Sequence, residues 1–338
     1  MTDPKKFAVA VVGATGAVGE ALLSVLVERE FPVDRVYALG SGGSAADSVL
    51  FDERPVAVEA VDAFDFSRCR IAFFCAPRAV AKKHAPRAVA AGCWVIDVSS
   101  QFRLDDDVPL VVPEINGDSL AGLSAPRIVS SPAAAVVQAG LALFPLRQRF
   151  GLRRAEITTL LAVSALGKAA VAELAGQTAR LLNVQAVEQK LFPAQIAFNV
   201  LPAFDAATES GYTLDESNAV AEAQKLLGDE LEVVTSQAFV PVFYGHTQIV
   251  RLETAGDCDV SRARDALTAA GLEFGESPAE LLSPVAIGTA SDSVFVGRCL
   301  QSTSTPCRLE LWTTADNIRK GAAINAVGIA EALLKSHL

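Results

Sequence analysis

The chain has 338 residues, 51% of them hydrophobic, and a formal charge of −10. Its mean hydropathy is +0.34, yet no apolar run reaches the ~18 residues a membrane span needs, so no membrane partner is expected. The acidic balance argues against a nucleic-acid partner, because neutralising phosphates takes clustered Lys and Arg. The six cysteines form no C-x-x-C pair, which fits a reduced, cytoplasmic chain.

Met1 to Lys6 offers no signal peptide. Phe7 to Val12 is an apolar, β-branched run suited to one buried strand of a parallel sheet. Gly13, Gly16 and Gly19 then turn the chain, and Val18, Leu22, Val25 and Leu26 recur at helical spacing. A strand, a glycine turn and a helix start present bare N–H groups and a positive helix end to an anion. The spacing is G-x-x-G-x-x-G rather than the commoner G-x-G-x-x-G. Its place after the first strand points to dinucleotide binding.

Arg35 to Leu39 reads as a second strand, followed by Gly40, Ser41, Gly42, Gly43 and Ser44. No acidic residue for a ribose diol occurs there before Asp47. Ser41 and Ser44 either meet a 2′-phosphate or belong to an ordinary loop. Arg70 to Cys75 is a further strand, Val80 to Ala91 a helix, and Trp94 to Val98 another strand. Such alternation implies a parallel sheet with right-handed crossovers, whose ligands sit beyond the C-terminal strand ends.

Beyond Gly151 the pattern changes. Glu156 to Val163 reads as a strand, and Lys168 to Leu182 and Glu216 to Leu227 as helices. Strands are expected at Glu232 to Thr235, Phe239 to Val242, Thr247 to Glu253, Val294 to Gly297 and Leu309 to Thr313, before a closing helix from Gly321 to Leu333. Late strands with few helices between them suggest a mixed, largely antiparallel sheet in an α+β domain.

Ser131 and Pro132 suit the start of a helix, with serine as its N-cap. A thiol in that first turn would be acidified, but alanines occupy it. His337 is next to the last residue, where fraying is expected, and His84 lies on an ordinary helix face. His246 follows a loop, a place for either a general base or a structural histidine. Cys75, at a strand end, fits a core thiol better than a nucleophile. Asp105 to Asp107 reads as a solvated loop or a cap, and no metal-ligand cluster stands out.

Five blocks in order carry a resemblance: VGATGAVG at 12–19, SSQFRLDDDVPLVVPE at 99–114, QIAFNVLP at 195–202, PVFYGH at 241–246 and DNIRKGAA at 316–323. On these the chain resembles the aspartate-β-semialdehyde dehydrogenase family over nearly its whole length. The resemblance implies an α/β chain with a Rossmann-type domain over 1–130, onto which a last helix at 319–338 packs back. It implies an α+β substrate and dimerisation domain over 131–318, a homodimer, and NADP as cofactor. Enzymes of this amino-acid-biosynthetic family form a thiohemiacetal on a cysteine, pass hydride to NADP and release the acyl group to phosphate.

By the same resemblance the cofactor would meet Gly13, Thr15, Gly16, Ala17, Val18, Ser41, Ser44, Ser164, Gly167 and Asn317. Arg103 and Lys225 match phosphate ligands, Glu222 the residue that holds the substrate amino group, and His246 the acid/base. The chain departs from the family where the reaction happens. Ala134 stands at the nucleophilic cysteine, Leu161 at the orienting glutamine, and Phe239 at the arginine that pairs with the substrate carboxylate. Pro77 and Arg78 replace a glycine pair, and Gly43 replaces the arginine for the 2′-phosphate. This looks like a Usg-type paralogue without the family's activity, because a methyl group cannot form the covalent intermediate. The alternatives are an active NAD(P)-dependent oxidoreductase on another carbonyl substrate, and a non-enzymatic subunit that binds a partner.

Overall fold

The computed structural model describes residues 6–41, 47–275, 282–288 and 291–337. The chain divides into two compact units, one of Met1–Ala133 with Ala322–Leu338 and one of Ala134–Gly321.

The first unit contains β1 (Phe7–Val12), α1 (Ala17–Glu28), β2 (Val33–Gly40), β3 (Ser48–Phe51), β4 (Arg54–Ala60), β5 (Ile71–Phe74), α2 (Arg78–Ala90), β6 (Trp94–Asp97), α3 (Pro113–Asn116) and β7 (Ile128–Ser130). Its seven strands lie in the order β3-β4-β2-β1-β5-β6-β7. Every pairing is parallel except that of β3 with β4. Successive residues of a strand point to opposite faces, and both faces here are apolar. Val9, Val11, Ile71, Phe73 and Ile96 pack with Leu22 and Leu26 of α1 and with Ile329 and Leu333 of the last helix. Ala10, Val12, Ala72, Phe74 and Val95 pack with Ala81, Ala85 and Ala88 of α2. Burial on both sides explains why these strands read as continuous apolar runs.

In the second unit come α4 (Ala134–Phe150), β8 (Leu152–Leu161), α5 (Lys168–Leu182), β9 (Leu201–Pro202), α6 (Leu214–Leu227), β10 (Glu232–Phe239), β11 (His246–Thr254), α7 (Val260–Ala269), β12 (Glu273–Phe274), β13 (Val294–Gln301) and β14 (Arg308–Ala315). Its seven strands run β12-β13-β14-β11-β8-β10-β9. β8 is parallel to β10 and β12 to β13, and the other pairs are antiparallel. A π-helical turn at Arg319–Ile324 leads into α8 (Asn325–His337).

Several expectations are corrected. Phe239 to Val242 is not a separate strand: β10 runs unbroken beside β8 and stops at Phe239, two residues before Pro241, which has no N–H to donate. Ser131 does not cap α4, which starts at Ala134; the Ser131 hydroxyl instead accepts from Asn325 Nδ2 at 2.8 Å. His84 is buried, with Nδ1 2.7 Å from Arg87 Nη1 and Nε2 3.3 Å from Asp62 Oδ1. His337 does not fray: its ring stacks on Trp94 at 4.9 Å and Nε2 lies 2.7 Å from the Leu120 carbonyl. Among the described residues no helix is long and apolar enough to cross a membrane.

Candidate functional site

On the first unit the strand ends form a rim. Gly13 has φ +84°, and a Cβ there would lie 2.4 Å from the Cys75 carbonyl oxygen; one on Gly19 would lie 2.2 Å from the Gly13 oxygen. Both glycines are therefore required by close packing of strand, turn and helix. The Gly13 N–H donates to Leu39 O at 2.8 Å and the Gly16 N–H to Gly13 O at 3.0 Å, which closes the turn. No side chain caps α1, so its first-turn amides, at Ala17 and Val18, remain suited to an anion. Thr15, Gly16, Ala17 and Val18 are half-buried and Ser41 is exposed on the same rim. This cradle fits the pyrophosphate of a dinucleotide. Gly43 and Ser44 lie outside the described residues.

Arg103 does not simply point at solvent as a phosphate ligand. Its Nε–H donates to Ser131 O at 3.0 Å and its Nη2 to Val98 O at 2.8 Å, which ties the turn after β6 to the segment before α4. Cys75 packs against the core, and burial, then the nearby Asp97, pushes its thiol up to about 12. It is a protonated core thiol rather than a nucleophile. Sequence reasoning did not single out Asp97, although an acid inside the apolar run Trp94 to Val98 was the available signal. The carboxyl is wholly buried and accepts the Ser99 N–H at 3.1 Å and hydroxyl at 2.9 Å. Burial still raises it to about 6.

The second unit holds His246 at the start of β11, where only 3% of it is exposed. Its Nδ1 accepts the Ala162 N–H at 3.1 Å. Burial lowers its pKa to about 3, so the ring is neutral with its proton on Nε2. It therefore offers a hydrogen-bond donor, and the lone pair a base would use is already engaged. Asn317 Oδ1 accepts from Ser164 Oγ at 3.1 Å and from the Gly245 N–H at 2.9 Å, which joins two loops next to His246 and to α5. Gly167, with φ +85° and open space where a Cβ would stand, is the N-cap residue just before α5.

At the first residue of α4, the Ala134 methyl lies over Gly321, where an added Cβ would come within 2.5 Å of it. Leu161 and Phe239 are register partners on β8 and β10. Both belong to one apolar cluster with Leu174, Phe192, Ile196 and Leu201. The Phe239 ring lies 5.6 Å from that of Phe192 and 5.2 Å from that of Phe204. Both side chains are thus surrounded by hydrocarbon. On α6, Glu222 is buried and Lys225 half-buried, one turn apart.

Gln248 was missed by sequence reasoning. It donates from Nε2 to Ala135 O at 2.8 Å and to Thr159 Oγ1 at 3.2 Å, anchoring the start of α4, while its Oε1 has no partner among the described residues. The void beside it is about 10 Å³, too small for a substrate. No group of His, Cys, Asp and Glu among the described residues could hold a metal ion.

Residues 8–123 match the semialdehyde dehydrogenase NAD binding domain, and residues 143–320 match the semialdehyde dehydrogenase dimerisation domain. An aspartate-semialdehyde dehydrogenase of Shewanella violacea is 43% identical over 98% of this chain and 99% of its own length. A USG-1 protein homolog of Pseudomonas aeruginosa is 42% identical over 98% of each. The crystal structure of aspartate semialdehyde dehydrogenase II from Vibrio cholerae complexed with ASA superposes with a TM-score of 0.96 at 42% identity, over 99% of this chain and 100% of that one. The glycine cradle with its NAD-binding domain, the mixed sheet with its dimerisation domain and this full-length likeness converge: the chain belongs to the aspartate-semialdehyde dehydrogenase family.

Proposed function

We propose that this chain is a Usg-type member of the family that binds an NADP-type nucleotide as a homodimer but does not oxidise aspartate semialdehyde. The observation that carries this reading is the apolar cluster around Leu161 and Phe239. A charged substrate needs a paired cation for its carboxylate, and a phenyl ring packed against the rings of Phe192 and Phe204 supplies none. Ala134 cannot form the carbon–sulfur bond from which hydride would leave. Cys75 does not replace it, since its thiol stays protonated at neutral pH.

The retained scaffold has consistent roles. Gly13, Gly16 and the first turn of α1 hold the pyrophosphate, while Arg103 braces the loop after β6. NADP would supply hydride acceptance, and neither Ala134 nor the protonated Cys75 presents a semialdehyde to it as a covalent adduct. The test incubates pure protein with aspartate semialdehyde, phosphate and NADP, and titrates NADPH in parallel. NADPH binding without turnover is expected. Turnover within the ordinary enzyme range of ~1–1,000 per second would overturn the reading.

His246 supports a second reading: a neutral imidazole with its Nε2–H free to polarise a carbonyl suits direct hydride transfer to another carbonyl compound. NADPH oxidation with a panel of small aldehydes and ketones, abolished by His246→Ala, is its expected signature.

A further inference from the structure

We propose that Arg78 is a nucleotide-binding residue that contacts the nicotinamide-side phosphate and ribose of the dinucleotide. The proposal rests on the nucleotide-binding reading of the first unit. In its sheet β1 lies between β2 and β5. The chain leaves β1 for β2 on one side and later adds β5 on the other, so the glycine turn stands at the switch point of the topology. A dinucleotide centred there lays its adenosine over the end of β2 and its nicotinamide half over the ends of β5 and β6.

The turn after β5 abuts the cradle directly. A Cβ on Gly13 would lie 2.4 Å from Cys75 O and 3.1 Å from Ala76 N, and Arg78 follows two residues later as the first residue of α2. Arg78 is exposed, and its Nε donates to Gln101 Oε1 at 3.3 Å, which ties the start of α2 to the loop after β6. Its two Nη groups have no partner among the described residues. Lys82, exposed and one turn further along α2, shares that face.

A cation at a helix N-terminus is unfavourable by itself, because it meets the positive end of the macrodipole. No acidic residue in the first turn of α2 relieves it. A phosphate between Arg78 and the glycine turn would satisfy the guanidinium, the helix end and the unpaired Nη donors together. Where the family pattern has a glycine pair, this chain thus adds a contact to the nucleotide.

The test measures dissociation constants of NADPH and of adenosine 2′,5′-bisphosphate for the full-length protein, Arg78→Ala and Arg78→Lys. Arg78→Ala is expected to weaken NADPH roughly tenfold and to leave the bisphosphate unchanged. Arg78→Lys should recover part of the loss, since a point charge replaces the fork. Without nucleotide, Arg78→Ala should melt no lower than the parent. Equal NADPH affinity in parent and Arg78→Ala would overturn the inference, and so would an equal loss for both ligands. A parent protein that binds neither ligand would overturn the nucleotide reading itself.

Discussion

At the scale of one side chain, Phe239 is held in an apolar cluster in which a charged group would have no partner. Returning an arginine there would remove a ring packed against Phe192 and Phe204 and leave a guanidinium in hydrocarbon. Loss of the ring alone costs about 3–5 kcal/mol, and an unpaired charge adds to it. Phe239→Arg should therefore lower the unfolding free energy obtained from urea denaturation by at least this much, and the triple change Ala134→Cys, Leu161→Gln, Phe239→Arg should not recover semialdehyde oxidation. Ala134→Cys alone should fold, with a thiol that titrates with a disulfide reagent. His246 predicts a pH dependence. Its folded pKa of about 3 lies below the ~6.5 of an unfolded histidine, so the unfolded chain binds more protons between the two values. Stability from this residue is whole above about pH 6.5 and is lost as pH falls toward 3, at up to ~1.4 kcal/mol per pH unit. His246→Gln should flatten that slope in denaturation curves taken across the window. The sequence pointed to His246 but not to its tautomer, because the Ala162 N–H that sets it is 84 residues away along the chain.

At the scale of elements, the β1–turn–α1 unit was legible because its signals are local: an apolar run, spaced glycines and a helical stripe. Its tightest contact makes a prediction. Gly19→Ala would place a Cβ 2.2 Å from the Gly13 oxygen, where backbone cannot yield without parting α1 from β1. A loss of about 1–3 kcal/mol is expected in thermal or urea unfolding, together with weaker NADPH binding by fluorescence. The β3–β4 hairpin went unread because its turn residues, Asp52 and Glu53, carry φ of 49° and 61° without the glycine or asparagine that marks such turns. The start of α4 was misplaced for a related reason. Ser131 looks like a cap, but its N–H donates to Asp97 O and its hydroxyl accepts from Asn325, a residue 194 positions away.

For the whole molecule, the second unit presents one sheet face that its helices leave half-covered. Thr158, Ile249 and Trp312 form a row across β8, β11 and β14, each half-buried. Beyond it run two cross-strand rows of opposite charge, in which Arg251 pairs with Glu310 and Arg308 with Glu253. An uncharged row centred on Ile249 and Trp312 and bordered by self-complementary charges suits a two-fold contact with a second copy. Ile249→Glu should convert the dimer to a monomer in sedimentation velocity. An unchanged dimer would place the contact elsewhere.

The β1–turn–α1 unit, the doubly covered parallel sheet and the glycine cradle follow from sequence alone, because periodicity and turn chemistry act within a few residues. That residue 134 carries only a methyl group is equally a fact of sequence, since no packing can make an alanine into a thiolate. Only tertiary structure decided that Leu161 and Phe239 are partners in one hydrocarbon cluster, that Arg103 and Ser131 brace the chain, and that His246 is a neutral donor. Each of these depends on which distant backbone or ring comes within a few ångströms, and side-chain chemistry in a buried site is set by those neighbours rather than by the residue's own type.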